Sequence, residues 1–259
     1  MRPLKRFELL GSPIDLMDAE DLDRLVESAI ETGQKKIIGN HNIHSLFLYQ
    51  RNAAMRAYYD VAHNIHVDGM GVVLLAKLAN IPLQRKHRVT YLDYFANLLP
   101  RAAEKGWRVF YLGTKPEIVA RGVGRLRERF KGLQIEYAHG FFDDRPGSED
   151  NKRILQSISS YRPHILLVGL GMPKQEQWVC DHRNDIRANA IFNAGGYMDY
   201  IGGAVPTPPR WMGRVGLEWL YRLISEPRRL ASRYLVEPWF VIWTLLAPRR
   251  KPESVTDRA

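Results

Sequence analysis

With one cysteine, Cys180, in 259 residues, the chain can form no internal disulfide framework and no multi-cysteine zinc centre, and it fits a reducing compartment. No apolar run approaches the roughly 20 residues that a membrane span needs. The N-terminal Met1-Arg2-Pro3-Leu4-Lys5-Arg6-Phe7 has basic residues but no apolar stretch of the kind that makes a signal peptide. A cytoplasmic protein is expected. Several motifs are missing too. There is no GxxxxGK[ST] loop and no GxSxG elbow. Gly169-Leu170-Gly171 fails as a dinucleotide fingerprint, because Lys174 stands where the third glycine belongs and Pro173 precedes it. That counts against a nicotinamide-dependent oxidoreductase. The eight histidines are scattered, so no metal site is expected.

Acidic residues are in deficit. Against 38 Lys and Arg there are 28 Asp and Glu, a net charge of +10 with pI near 9.7, so anionic partners are expected. The excess is concentrated late in the chain: between Val205 and Lys251, nine basic residues face three glutamates. From charge alone, nucleic acid, anionic lipid and a diphosphate substrate all fit.

Hydrophobic residues make up 45% of the chain, enough for a sizeable core. Short apolar runs predict strands at 36–40, 65–67, 108–112, 134–138, 164–168 and 190–193. Amphipathic patterns predict helices at 19–32, 44–60, 71–78, 92–105, 116–130, 149–161 and 175–184. This alternation implies an α/β fold, a mostly parallel Rossmann-like sheet with helices on both faces. The pattern changes after Gly203. Val205-Pro206-Thr207-Pro208-Pro209 continues neither a helix nor a central strand. The chain therefore divides into a core over 1–203 and a basic helical appendage over 204–259, with helices expected at 211–225 and 227–235. The segment Trp239-Phe240-Val241-Ile242-Trp243-Thr244-Leu245-Leu246, followed by Arg249-Arg250-Lys251, suits a helix lying at a membrane surface. The alternative is a segment docked on the core or on a neighbouring subunit of a homo-oligomer.

Four strand exits carry chemistry-bearing residues. After Ile165-Leu166-Leu167-Val168 comes Gly169-Leu170-Gly171-Met172-Pro173-Lys174-Gln175-Glu176. Glycines there let backbone approach a ligand, with Lys174 and Gln175 in reach of its polar groups, at the sheet edge where such folds bind ligands. Val67-Asp68-Gly69-Met70-Gly71 ends a strand in a carboxylate. Asp68 is either a general base toward a hydroxyl or a helix N-cap. Asn40-His41-Asn42 either hydrogen-bonds a sugar or nucleobase, or closes a turn on its own backbone. Asn193-Ala194-Gly195-Gly196-Tyr197-Met198-Asp199 permits close approach of phosphate or ribose oxygens, or is a plain tight turn.

These motifs, together with Gly216-Leu217-Glu218-Trp219-Leu220-Tyr221-Arg222 and Glu226-Pro227-Arg228-Arg229, occur in one order that resembles the WecG/TagA/CpsF glycosyltransferase family of bacterial surface-polysaccharide synthesis. The resemblance runs from about residue 35 to 235. It implies inverting, metal-independent transfer from a UDP-sugar, of the glucose or N-acetylmannosamine type, to a polyprenyl-diphosphate-linked sugar, forming a β-1,4 linkage at the inner face of the cell membrane. No cofactor is implied. Asp68 would be the base. Arg88, Arg210, Arg222 and Arg229 would bind diphosphate charge. Asn40, Asn42, Gly69, Gly71, Gly113, Gly169, Gly171, Lys174, Gln175, Glu176, Gly195, Gly196 and Asp199 would line the donor and acceptor pocket. The acidic Asp21-Leu22-Asp23 matches the DxD of metal-dependent glycosyltransferases only formally, since it falls inside a predicted helix. Two positions depart from the family pattern: Asn40 stands where threonine is common, and Thr207-Pro208-Pro209 where Arg-Ala-Pro is common. These departures tilt the expected donor toward glucose. A basic nucleic-acid-binding α/β protein is the competing reading, although no nucleic-acid module accompanies the arginines.

Overall fold

A computed structural model describes residues 4–207, 212 and 218–247. The chain opens with a hairpin absent from the sequence expectation, β1 (Arg6–Leu9) and β2 (Ser12–Asp15), antiparallel and turned by Leu10 and Gly11, both at positive φ. Arg6 and Asp15 face each other in register and form an ion pair at 2.7 Å. The Asp15 carboxylate also accepts the backbone N–H of Ile65 at 2.8 Å, which ties the hairpin to the main sheet.

That sheet contains β3 (Lys36–His41), β4 (Asn64–Val67), β5 (Val109–Gly113), β6 (Ile135–Ala138), β7 (Ile165–Gly169) and β8 (Ala190–Asn193). All are parallel, in the order β4-β3-β8-β7-β5-β6. Each lies within one residue of its expected position. Every residue of β5, β7 and β8 is buried, as parallel strands covered on both faces should be.

Among the described residues, nine α-helices of the core accompany the strands: α1 (Ala19–Glu31), α2 (Ile43–Arg51), α3 (Ala53–Val61), α4 (Met70–Leu78), α5 (Tyr91–Glu104), α6 (Pro116–Arg129), α7 (Glu149–Tyr161), α8 (Lys174–His182) and α9 (Tyr197–Ile201). The single helix expected over 44–60 is two. Asn52 adopts an extended conformation (φ −126°, ψ 121°), and its side chain accepts from the N–H groups of Ala54 and Met55, capping α3. On one face of the sheet, Phe95, Leu98, Val123 and Phe192 centre the core; on the other, Tyr58, Leu166, Trp178 and Val179 do so.

The C-terminal part adds α10 (Glu218–Ser225), α11 (Pro227–Leu235) and α12 (Glu237–Leu246). One face of α12 is docked on α2. Val241 is fully buried in a third apolar cluster with Leu46, Val72 and Val73. The Phe240 ring meets Phe47 edge-on at 5.2 Å, and the Arg51 guanidinium lies over both rings. Its outer face keeps Trp239 (71%), Trp243 (68%) and Leu246 (70%) exposed. The docked alternative thus describes one side of this helix, while its tryptophans face outward. Among the described residues, no helix is long and apolar enough to cross a membrane.

Candidate active site

The carboxyl ends of β3, β4, β7 and β8 open into one cavity of about 950 Å³, closed on the far side by α10, α11 and α12. Of the residues singled out in the sequence, Asn40, Asn42, Asp68, Gly69, Gly71, Arg88, Gly171, Gln175, Gly195, Gly196, Asp199 and Arg222 line it.

Asp68 follows the last residue of β4, and its backbone N–H bonds the His41 carbonyl at 2.8 Å. It is not the N-cap of α4. Gly69 takes that position, at φ 100°, a left-handed conformation that glycine adopts without steric penalty. Arg88 is held beside it by backbone. Val67 and Arg88 form a parallel bridge, and the Val89 N–H bonds the Val67 carbonyl at 2.8 Å. From the opposite wall come Arg222, stacked over the Tyr200 ring at 5.6 Å, and Arg233. Burial works against the charge of Arg222, but Tyr234, Tyr200, Asp68 and Glu226 outweigh it and its pKa is raised. Burial dominates at Arg233 and lowers its pKa; the adjacent Arg222 adds to this, and Tyr234, Glu237 and Asp68 oppose it. Asp68 thus shares the cavity with two cations from another part of the chain.

The glycine loops are tied together by one side chain. Gln175, fully buried, accepts at Oε1 from the N–H groups of Gly171 and Gly195, both at 3.2 Å. Its Nε2 donates to Glu176 Oε1 at 2.8 Å, and Asn193 Nδ2 donates to the same oxygen at 3.2 Å. Burial pushes the Glu176 carboxyl up to about 7 against these two hydrogen bonds. Glu176 Oε2 and Asn193 Oδ1 are both buried without a partner among the described residues. A proton on Oε2 makes one of them a donor, and the other is an acceptor. Asp199, on the last of the glycine-bearing exits, accepts a short hydrogen bond from Thr114 Oγ1.

Four expected site residues do not line the cavity. Lys174 turns away to pair with Asp144 at 3.1 Å, over the Phe142 ring. Glu176 is enclosed behind Gln175 and Asn193. Gly113 and Gly169 are packing glycines: a Cβ on Gly113 would lie 2.2 Å from the Gly169 carbonyl oxygen, and one on Gly169 would lie 2.0 Å from the Tyr111 hydroxyl. The imidazole of His41 is likewise structural. It is fully buried, bonded to Ser12 Oγ and Ser45 Oγ, stacked on Tyr59, and pushed by burial down to about 3. Asn42 does double duty, lining the cavity while its side chain caps α2. Arg210 lies outside the described residues, as does the side chain of Arg229. Asp21 and Asp23 sit on α1, where Asp21 completes a capping box with Asp18 and Asp23 pairs with Arg101. Among the described residues, no three His, Cys, Asp or Glu side chains cluster as metal ligands.

Sequence reasoning missed Arg233 and Glu237 as cavity residues. No local pattern in the sequence singles out Arg233, which lines the cavity from α11.

A parallel sheet with a carboxylate and arginines lining a cavity over its carboxyl edge is the ligand-binding layout of an open α/β protein. More narrowly, the chain belongs to the glycosyl transferase WecG/TagA/CpsF family, whose model matches residues 7–254, and it is a glycosyltransferase. It is similar to proteins named N-acetylglucosaminyldiphosphoundecaprenol N-acetyl-beta-D-mannosaminyltransferase. That of Bacillus subtilis is 32% identical over 200 residues, 76% of this chain and 75% of the relative. That of Bacillus spizizenii is 29% identical over 220 residues, 83% and 82%. A Staphylococcus aureus counterpart is 25% identical over 220 residues, 81% and 84%.

Proposed function

We propose that this enzyme is an inverting, metal-independent transferase that moves a hexose from a UDP-sugar to a polyprenyl-diphosphate-linked sugar. The carrying observation is Asp68 at the end of β4, lining one cavity with Arg222 and Arg233 on the opposite wall. Asp68 takes the proton of the acceptor hydroxyl as that oxygen attacks the anomeric carbon. The carbon–phosphate oxygen bond breaks on the opposite face, and UDP leaves with the electron pair. One displacement inverts the anomeric centre, giving the β product, with the 4-hydroxyl as the proposed acceptor. Arginines balance the charge that develops on the departing diphosphate, which their planar forks bond through two oxygens at once. The names of the relatives support an undecaprenyl-diphosphate sugar as acceptor and N-acetylmannosamine as donor sugar; UDP-glucose is the alternative donor.

The outward Trp239 and Trp243, with the basic residues that follow α12 in sequence, would set the enzyme against the inner face of the membrane, where its acceptor resides.

The test is UDP release across a panel of UDP-sugars, with and without a short-chain prenyl-diphosphate sugar. Acceptor-dependent release is expected with one donor, falling about 10²–10⁴-fold in Asp68→Ala, the range for loss of a general base. Full activity in a folded Asp68→Ala protein would remove Asp68 from that role.

A further inference from the structure

The cavity has an apolar flank as well as a polar part. Its polar part gathers Asp68, Arg88, Arg222 and Arg233. From there α4 leads away, its axis rising about 12 Å between Met70 and Leu78 at 1.5 Å per residue. Gly71, Leu74, Leu75 and Leu78 all line the cavity, and their i, i+3, i+4, i+7 spacing places them on one stripe. The buried residues of α4 are Val72, Val73, Leu75 and Ala76. Leu74 and Leu78, by contrast, remain 56% and 63% exposed. Pro238 and Ile242, one turn apart on α12, line the same cavity. They stand on a different face of that helix from the outward Trp239 and Trp243. Gly71 is needed here for its size: a Cβ would meet Ile43 Cγ1 at 2.8 Å.

A cavity with cations at its head and a bare aliphatic stripe beyond matches an amphiphile with an anionic head. A second sugar would call for hydrogen-bonding side chains along the stripe, and α4 offers aliphatic ones there. We propose that the stripe of α4 facing Pro238 and Ile242 is a subsite for the first isoprene units of the acceptor lipid. The enzyme would then draw part of the chain out of the bilayer instead of reading only the headgroup. This rests on the acceptor class proposed above.

The test titrates the full-length protein, without membrane or detergent, with farnesyl diphosphate and separately with inorganic diphosphate. Farnesyl diphosphate is expected to bind at least about tenfold more tightly, since burying even two methylene-sized groups suffices for that ratio. The ratio should collapse toward one in the Leu74→Gln/Leu78→Gln double variant, whose substituted side chains are already exposed and whose folding is checked by its melting temperature. Equal affinity of the wild type for the two probes overturns the subsite. A preference that survives the double substitution also overturns it, because adsorption elsewhere would then be its cause. The same pair of proteins is assayed for transfer to sugar-diphosphate acceptors carrying one to four isoprene units. Transfer independent of prenyl length rejects the subsite and leaves the proposed reaction standing. Tight farnesyl diphosphate binding that is lost in the double variant, with no transfer from any UDP-sugar, retains the subsite and rejects the proposed reaction.

Discussion

The two walls of the cavity are built by different physics. The strand-end wall is fixed from within: Gln175 joins the loops after β7 and β8 through hydrogen bonds made entirely inside the protein, over strands with no exposed residue. The helical wall is held from outside, by the face of α12 that meets α2 and by a 2.7 Å contact between His44 Nδ1 and Glu237 Oε2. Carboxylate and glycine loops belong to the first wall, most of the positive charge to the second. Chemistry and charge balance therefore depend on separate parts of the chain, and perturbing each should leave a different signature.

After the loss expected for Asp68→Ala on the strand-end wall, the largest effect falls on the helical wall. Arg222→Ala should lower kcat by about 10²–10³-fold, the loss typical of one group stabilising transition-state charge, with the core melting temperature nearly unchanged. Steady-state kinetics and a thermal melt together check this, and a collapsed melt would show that the two walls are not separable.

Next comes Glu176 on the strand-end wall. Its carboxyl is raised by burial to about 7, so the folded state binds a proton more tightly than the unfolded chain. Stability from this group is complete below the ordinary glutamate pKa and is lost as pH rises through about 7. Glu176→Gln removes the dependence. Acidification from pH 7 to 4.5 should then destabilise the variant by about 3 kcal/mol more than the wild type, read by denaturant titration at several pH values. Gln175→Ala should follow, at about 2 kcal/mol, because the N–H groups of Gly171 and Gly195 lose their acceptor. Unlike Arg222→Ala, it should raise the donor KM and lower the melt together. The smallest effect is expected from His44→Ala, about 1 kcal/mol, seen as faster hydrogen exchange in α12 with little change in the sheet.

The strand-end wall was also the more legible of the two. Its strands announce themselves because parallel strands buried on both faces must be continuous apolar runs, and residues at their ends are placed by the sheet itself. Asp68 and the Gly195-Gly196 exit were readable for that reason. Side-chain direction was not. Lys174 sits in the expected loop, but Asp144 and Phe142 from a distant loop decide where its ammonium goes. The hairpin of residues 6–15 was missed because four-residue strands with mixed burial leave little periodicity. The break at Asn52 was missed because apolar spacing continues through it. On the helical wall, Arg233 enters the cavity only through the docking of the appendage, which no local pattern encodes.

The bridge between Val67 and Arg88 has a mechanical meaning. Asp68 and Arg88 hang from two backbone segments joined by a main-chain hydrogen bond, so the spacing of their backbones is set by main-chain pairing and not by side-chain packing. Any displacement of the helical wall changes how many positive charges Asp68 meets. It leaves the backbone anchorage of this one neighbour in place, as a fixed jaw stays put while its counterpart swings.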